Sequence, residues 1–398
     1  MKKIFLGLIF WTLFSDLFAQ TAKEYFKSGG EKLKTKQYEA AIADFEAGLK
    51  LDKYNAAAYG GRGLAKAGLG NHEGAIQDFG LLLQLSPNDG RAYLFRALSY
   101  IELKNWDKAY NDLDRAVKLN PQEPKVFYHR ALVRNEFKEY AGAMDDLTEA
   151  LRLNPKDFKA YNNRAVIREQ LKDLNGALQD YNKTLELNAQ QSFVYYNRAL
   201  IKVQLKQYKE AIVDFDQAIT LKLNQPDLLS QRALAKVELG DQKGAMADFN
   251  QAIQVNPKDA VSFLHRGIEW KKQKKEADAL KDFNQAIANN PKYPKAYLSR
   301  ANLYIEQKKW KEALADLDKL VPLDAKNALI YATRAQVKSK LQDDKNALID
   351  WDKAIQFNAQ DGNYYYQRGL VKQKLGDVEG ATQDWDKAVS LGNEVKKK

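Results

Sequence analysis

Cysteine is absent from this chain, which rules out disulfides, thiolate metal ligands and an N-terminal lipid anchor on cysteine. Histidine is scarce. His72, His129 and His265 stand apart in sequence, without the carboxylates or thiols that a metal site or general base requires. The 22 glycines form no phosphate-cradling loop and no nucleophile elbow. The nine prolines build no linker, and no Pro-, Gly- or Ser-rich segment follows Thr21. The longest apolar run, residues 4–14, has eleven residues against the roughly 20 that cross a bilayer. Paired acids such as Asp145 and Asp146 fall on helical surfaces and need no catalytic reading. The sequence therefore reads as a non-enzyme, with no metal and no cofactor.

What the chain has instead is a period. A 34-residue frame beginning at Ala22 restarts at residues 56, 90, 124, 158, 192, 226, 260, 294, 328 and 362, without insertion or deletion. That gives eleven units over residues 22–395. Position 4 of the frame is aromatic except at Leu229, position 8 is Gly or Ala, and position 20 is always Ala. Position 24 is large and apolar, from Phe45 to Trp385, and position 32 is Pro in five units. Positions 4, 8 and 11 share one face of a first helix, and 20, 24 and 27 share one face of a second. Small residues let the two backbones approach, large ones fill the space between, and Pro ends the second helix. A further stripe, exemplified by Val194, Ile201, Leu205, Ile212 and Ile219, cannot be buried in the same pair. It must pack on the neighbouring unit, which makes the chain an all-α solenoid without a single core.

These residues resemble the tetratricopeptide repeat family, and the resemblance covers all eleven units. It implies a right-handed superhelix of stacked antiparallel helix pairs, one domain over residues 21–398. It also implies that the first helices line a concave groove, with positions 2, 5, 9, 12 and 13 pointing into it. On this chain the partner-binding positions are then Leu94, Tyr128, Asn162 and Tyr196 at position 5, and Leu98, Leu132, Val166 and Leu200 at position 9. Tyr128 and Tyr196 are the expected anchors, since Tyr is favoured at binding hot spots. The position-9 residues read equally well as half-buried packing. The Lys and Asn clamp that some members use for C-terminal carboxylates is missing.

The chain departs from the family pattern in three places. Position 7 is Arg in units two to eleven, position 11 is often Lys or Arg, and position 23 is Asp throughout. Such a register suggests a ladder of charge-assisted hydrogen bonds. Because unit one has Ser28 at position 7 and no preceding unit, each Arg is expected to meet the Asp of the unit before it, as Arg198 with Asp180. Asp384, in the last unit, would then lack a partner.

Residues 1–20 have a basic start, an apolar run and a small residue, Ala19, at a cleavage site, which is the plan of a secretory signal peptide. Together with the absence of cysteine, it points to an exported protein of the periplasm or cell surface of a Gram-negative bacterium. The formal net charge is +11. Unit eight concentrates it in Lys271, Lys272, Lys274, Lys275 and Lys281. That segment reads as solvated helix ends or as a surface for an anionic envelope polymer such as an acidic glycan. Unit eight also places Glu269, Gln273 and Asn289 at apolar positions and is the expected soft seam. Lys32 stands at an apolar position of unit one, and Pro322 should shorten the second helix of unit nine. The last unit leaves an apolar stripe that includes Val389, a place for a partner or for self-association. The leading expectation is a protein-interaction scaffold with protein partners and no nucleic acid.

Overall fold

The structure is a computed structural model that describes residues 21–393. The expected signal peptide, residues 1–20, lies outside the described residues, as do the last five. Among the described residues there are twenty-two α-helices, one short 3-10 helix and no strand. The chain divides into two compact units, Met1–Tyr195 and Tyr196–Lys398. In the first, pairs such as Gly90–Glu102 with Trp106–Leu119 and Pro124–Glu136 with Tyr140–Leu153 follow one another. In the second, Ala260–Lys272 with Glu276–Asn289 and Gly362–Lys374 with Val378–Ser390 repeat the arrangement.

The turn within each pair is set by one residue. Position 15 has a positive φ in every repeat: Gly70, Gly240 and Gly376, but also Lys36, Lys104, Lys138, Lys172, Lys206, Lys274, Lys308 and Gln342. A left-handed residue reverses the chain in the shortest distance, and glycine adopts it without strain. Asn or Asp then caps many of the second helices, as Asn71 accepts from the Gly74 N–H at 2.9 Å and Asp173 from that of Gly176 at 2.9 Å. The second helix of repeat nine ends at Leu320 and passes into the 3-10 turn Val321–Leu323, as Pro322 requires. The first helix of repeat seven begins late, at Leu228, after an open stretch around Pro226.

Packing follows the frame. Every position-20 alanine, from Ala41 to Ala381, is fully buried, and so are the rings of Phe79, Phe215, Phe249, Phe283 and Trp351 at position 24. The further stripe does close the seams. Val126 and Val133 of repeat four enter the core of Leu94, Ala97, Leu113 and Ala116 in repeat three. Ile330 and Val337 of repeat ten likewise enter the core of Tyr297, Ala301 and Leu317 in repeat nine. The aromatics of position 4 are divided: Phe127, Tyr297 and Tyr331 are buried, and others are not. Tyr59, Tyr93, Tyr161 and Tyr365 are only half-buried, and an arginine lies over each ring, with the guanidinium carbon 5.5–5.6 Å from the centroid.

The charged ladder exists, but not between the expected partners. Each Arg meets the Asp of its own repeat. Arg198 Nε donates to Asp214 at 2.8 Å, and Arg368 grips Asp384 through Nε at 2.8 Å and Nη2 at 2.6 Å. Asp384 is thus fully partnered, which removes the objection raised by its place in the last repeat. The link between repeats comes from the third nitrogen. Arg130 Nη1 reaches Asp114 at 3.1 Å, and Arg334 Nη1 reaches Asp318 at 2.9 Å, both at position 25 of the preceding repeat. The geometry explains the choice: positions 7 and 23 face each other across one helix pair, and Nη1 lies on the far side of the fork. Basic residues at position 11 complete the group, as Arg134 with Asp146 at 2.8 Å and Lys338 with Asp350 at 2.7 Å. Lys32 belongs here too. It is paired with Asp44 at 2.6 Å, in the role that Arg has elsewhere, rather than misplaced at an apolar site.

Candidate partner-binding face

The buried faces of each helix pair leave one face of the first helices open. Position 9 is its apolar member in eight repeats, the exceptions being Gly30, Asn302 and Gln336. Leu64, Leu98, Leu132 and Val166 in the first unit, and Leu200, Leu234, Ile268 and Leu370 in the second, are all half-buried. This is neither the closed state of the small core residues nor the free state of the lysines.

Position 5 is less uniform than expected. Leu94 is 5% exposed and belongs to the core of repeat three, and Tyr196 is 6% exposed. Both are corrections: they are interior residues and cannot anchor a partner. The Tyr196 ring lies 6.1 Å from Phe215, and its hydroxyl donates to Asp227, 2.7 Å from either oxygen. Burial and then this carboxylate push its phenol well above the ordinary value. A ring at position 5 can turn toward the next repeat, where Asp227 receives the Tyr196 hydroxyl. Tyr128 and Asn162 remain half-buried on the open face, and the Tyr128 hydroxyl accepts from Asn163 Nδ2 at 2.9 Å.

The basic segment is partly neutralised. Lys271 pairs with Glu306 at 2.7 Å, Lys272 with Glu269 at 2.6 Å, and Lys275 lies 4.5 Å from the centre of the Trp270 ring. Lys274 is the left-handed turn residue of its repeat, so its position is structural. Lys274 and Lys281 are exposed. Glu269 is 1% exposed, its Oε1 held by Lys272 and its Oε2 without a partner. Gln273 is exposed, and Asn289 Nδ2 donates to the Pro257 carbonyl at 3.0 Å.

The histidines are packed rather than convergent. His129 sits edge-on to Tyr128, 5.1 Å between centroids, and His265 stacks on Phe249 at 6.3 Å. Burial, with the charge of Lys125 assisting and Asp157 opposing, lowers the His129 pKa from 6.5 to about 4. Among the described residues no group of His, Asp or Glu could hold a metal ion, and no helix is long and apolar enough to cross a membrane.

A feature the sequence reading missed lies in repeats one to three, within the first unit. A cavity of about 450 Å³ opens on the first-helix face between Phe26, Gly30, Leu33, Gly61, Leu64 and Phe95. Its signal was legible. Gly30, Gly60 and Gly61 stand at positions 9, 5 and 6, where most other repeats carry larger side chains.

Models of the tetratricopeptide repeat match residues 29–90, 90–123, 138–192, 194–225, 226–259 and 272–337. The chain belongs to the tetratricopeptide repeat family. A search of curated proteins finds no match. Solved tetratricopeptide repeat structures do resemble the chain. Tom70 from yeast is 17% identical, over 94% of this chain and 92% of that one, with a TM-score of 0.41. A tetratricopeptide repeat protein from Parabacteroides merdae is 19% identical, over 75% of this chain and 98% of that one, with a TM-score of 0.41. YrrB, described as a tetratricopeptide repeat protein with an unusual peptide-binding site, is 25% identical over 46% of this chain and 95% of its own, with a TM-score of 0.39.

Proposed function

We propose that this chain is a non-catalytic scaffold of the cell envelope, exported to the periplasm or cell surface of a Gram-negative bacterium, that holds partner peptides or helices on its first-helix face. The row at position 9 carries the reading. Leu98, Leu132 and Val166 in the first unit, and Leu200, Leu234 and Leu370 in the second, are apolar, half-buried and repeated at one register. A run of half-exposed apolar residues on successive repeats of one unit is what an extended segment or amphipathic helix covers. The plan of residues 1–20 supports export.

The test is capture from an envelope extract by the immobilised full chain, at low and high salt, beside a Leu98→Ser/Leu132→Ser/Leu234→Ser variant. Proteins held at high salt and lost with the variant support the scaffold. Proteins held equally by both sink it. Cell fractionation tests the location, and a cytoplasmic chain would remove the envelope from the proposal. The alternative is an acidic glycan or other anionic polymer on the basic segment, favoured by the exposed Lys274 and Lys281. Polymer retained only at low salt, and released by Lys274→Glu/Lys281→Glu, would support that reading instead.

A further inference from the structure

The cavity in repeats one to three has a chemistry of its own. Phe26, Phe45, Phe79 and Phe95 line it, with Leu64 and Leu82. Lys34 and Arg91 also line it, and both are exposed. Asp89 is the acid among the lining residues, and it is already engaged: it caps a helix, accepting from the N–H groups of Arg91 at 2.9 Å and Ala92 at 3.1 Å. Those bonds from neutral N–H groups leave its charge in place, so the lining carries two cations against one carboxylate and is positive on balance.

Its volume comes from missing side chains, and packing accounts for only some of them. A Cβ on Gly60 would come within 2.8 Å of Leu82 Cδ1, and one on Gly61 would overlap the Phe45 ring. Those two glycines permit a close approach. Gly30 permits nothing of the kind, since a Cβ there meets no atom within 4 Å. Glycine inside a helix is less stable than alanine, because its backbone loses more freedom on folding. Gly30 lies within the helix over residues 21–34 and keeps that cost with no packing need for it.

We propose that this cavity is the anchor site of the scaffold, and that it takes an aromatic side chain of a partner peptide carrying an acidic residue beside the aromatic one. The inference rests on the scaffold reading above and names where its first contact is made. The volume of about 450 Å³ suits one aromatic ring and a neighbouring side chain, within the range of ordinary ligand pockets. The half-buried Phe26 and Phe95 offer edge and face contacts to an entering ring, with the buried Phe45 and Phe79 behind them. Lys34 and Arg91 complement an adjacent carboxylate, whereas a basic flank would be repelled.

The test is selection from a phage-displayed library of random peptides on the full chain, followed by fluorescence anisotropy with the enriched sequences as fluorescein-labelled synthetic peptides. The enriched peptides should share Phe, Tyr or Trp next to Asp or Glu. Gly30→Leu fills the cavity from its open side and adds helix propensity, so it should weaken binding about tenfold or more while the melting temperature holds or rises. Lys34→Glu/Arg91→Glu should weaken binding about fivefold or more, with less salt dependence remaining. Enriched peptides without an aromatic residue, or with undiminished affinity for Gly30→Leu, overturn the cavity assignment. If those peptides are instead lost with Leu98→Ser/Leu132→Ser, the scaffold stands and the anchor lies elsewhere on the face. Failure to enrich any peptide overturns both.

Discussion

Arg130 and Asp146 are joined by two parallel hydrogen bonds, Nε at 3.0 Å and Nη2 at 2.7 Å, across one helix pair. The same fork recurs from Arg62 with Asp78 to Arg368 with Asp384. A guanidinium fixes a carboxylate in both distance and plane, which an ammonium does not. The fork therefore sets the rotation of the two helices in a pair, and Nη1 carries that setting to the preceding repeat.

The number of cations around each aspartate should decide what the loss of arginine does. Asp146 keeps Arg134 when Arg130 is removed, but Tyr304 stands at the equivalent place in repeat nine and leaves Asp316 to Arg300. We expect Arg130→Met to cost about 1–2 kcal/mol and Arg300→Met about 2–4 kcal/mol, values discounted for the partial exposure of both arginines. Urea denaturation followed by circular dichroism compares them. Equal costs would show that position 11 contributes nothing.

Glu269 is an ionisable residue on a seam that its counterparts close with apolar groups, such as Ile201, Leu303 and Val337. One of its oxygens has no partner. Glu269→Leu should raise stability by about 1–3 kcal/mol, because it removes an unsatisfied buried polar atom and adds apolar contact. A lower melting temperature in the variant would mean that the carboxylate has a partner that matters more than its burial.

His129 makes stability depend on pH. Its folded pKa of about 4 lies below the unfolded value of 6.5, so only the unfolded chain takes up the proton between them. The contribution is complete above 6.5 and is lost as the pH falls toward 4. Its full size is on the order of 3 kcal/mol, and His129→Gln should flatten the stability profile across that window. Parallel profiles for the two proteins would refute the assignment.

Tyr196 and Leu132 should separate stability from binding. Tyr196→Ala empties a buried site and strips Asp227 of its hydroxyl donor, which should cost about 3–5 kcal/mol. Leu132→Ala removes a half-buried side chain on the open face and should cost about 1 kcal/mol while weakening peptide capture. Melting curves and anisotropy on both variants test the pair, and a stable, non-binding Tyr196→Ala would return that tyrosine to the surface.

The fold was legible because a repeat writes each constraint many times. Ala41 alone says little, but alanine at position 20 in eleven places says that two backbones touch there. The helix bounds then follow the frame closely, with the larger departures where Pro322 and Pro226 intervene. The open face was legible in outline, through Leu98, Leu132 and Val166. Its detail was not. Lysine is not a turn signal, so Lys274 read as charge rather than as the left-handed residue of its repeat.

Sequence by itself determined the helix pair, the small and large positions that close it, and the stacking of pairs, because each is a local periodicity tied to helix geometry. Tertiary structure decided which Asp each Arg meets, which position-5 residues turn inward, and where the open face becomes a cavity. Those depend on distances between side chains sixteen or more residues apart, as for Arg130 with Asp146, or thirty-one apart, as for Tyr196 with Asp227. A period places both members of such a pair in register, but only the angle at which two helices cross decides whether they touch.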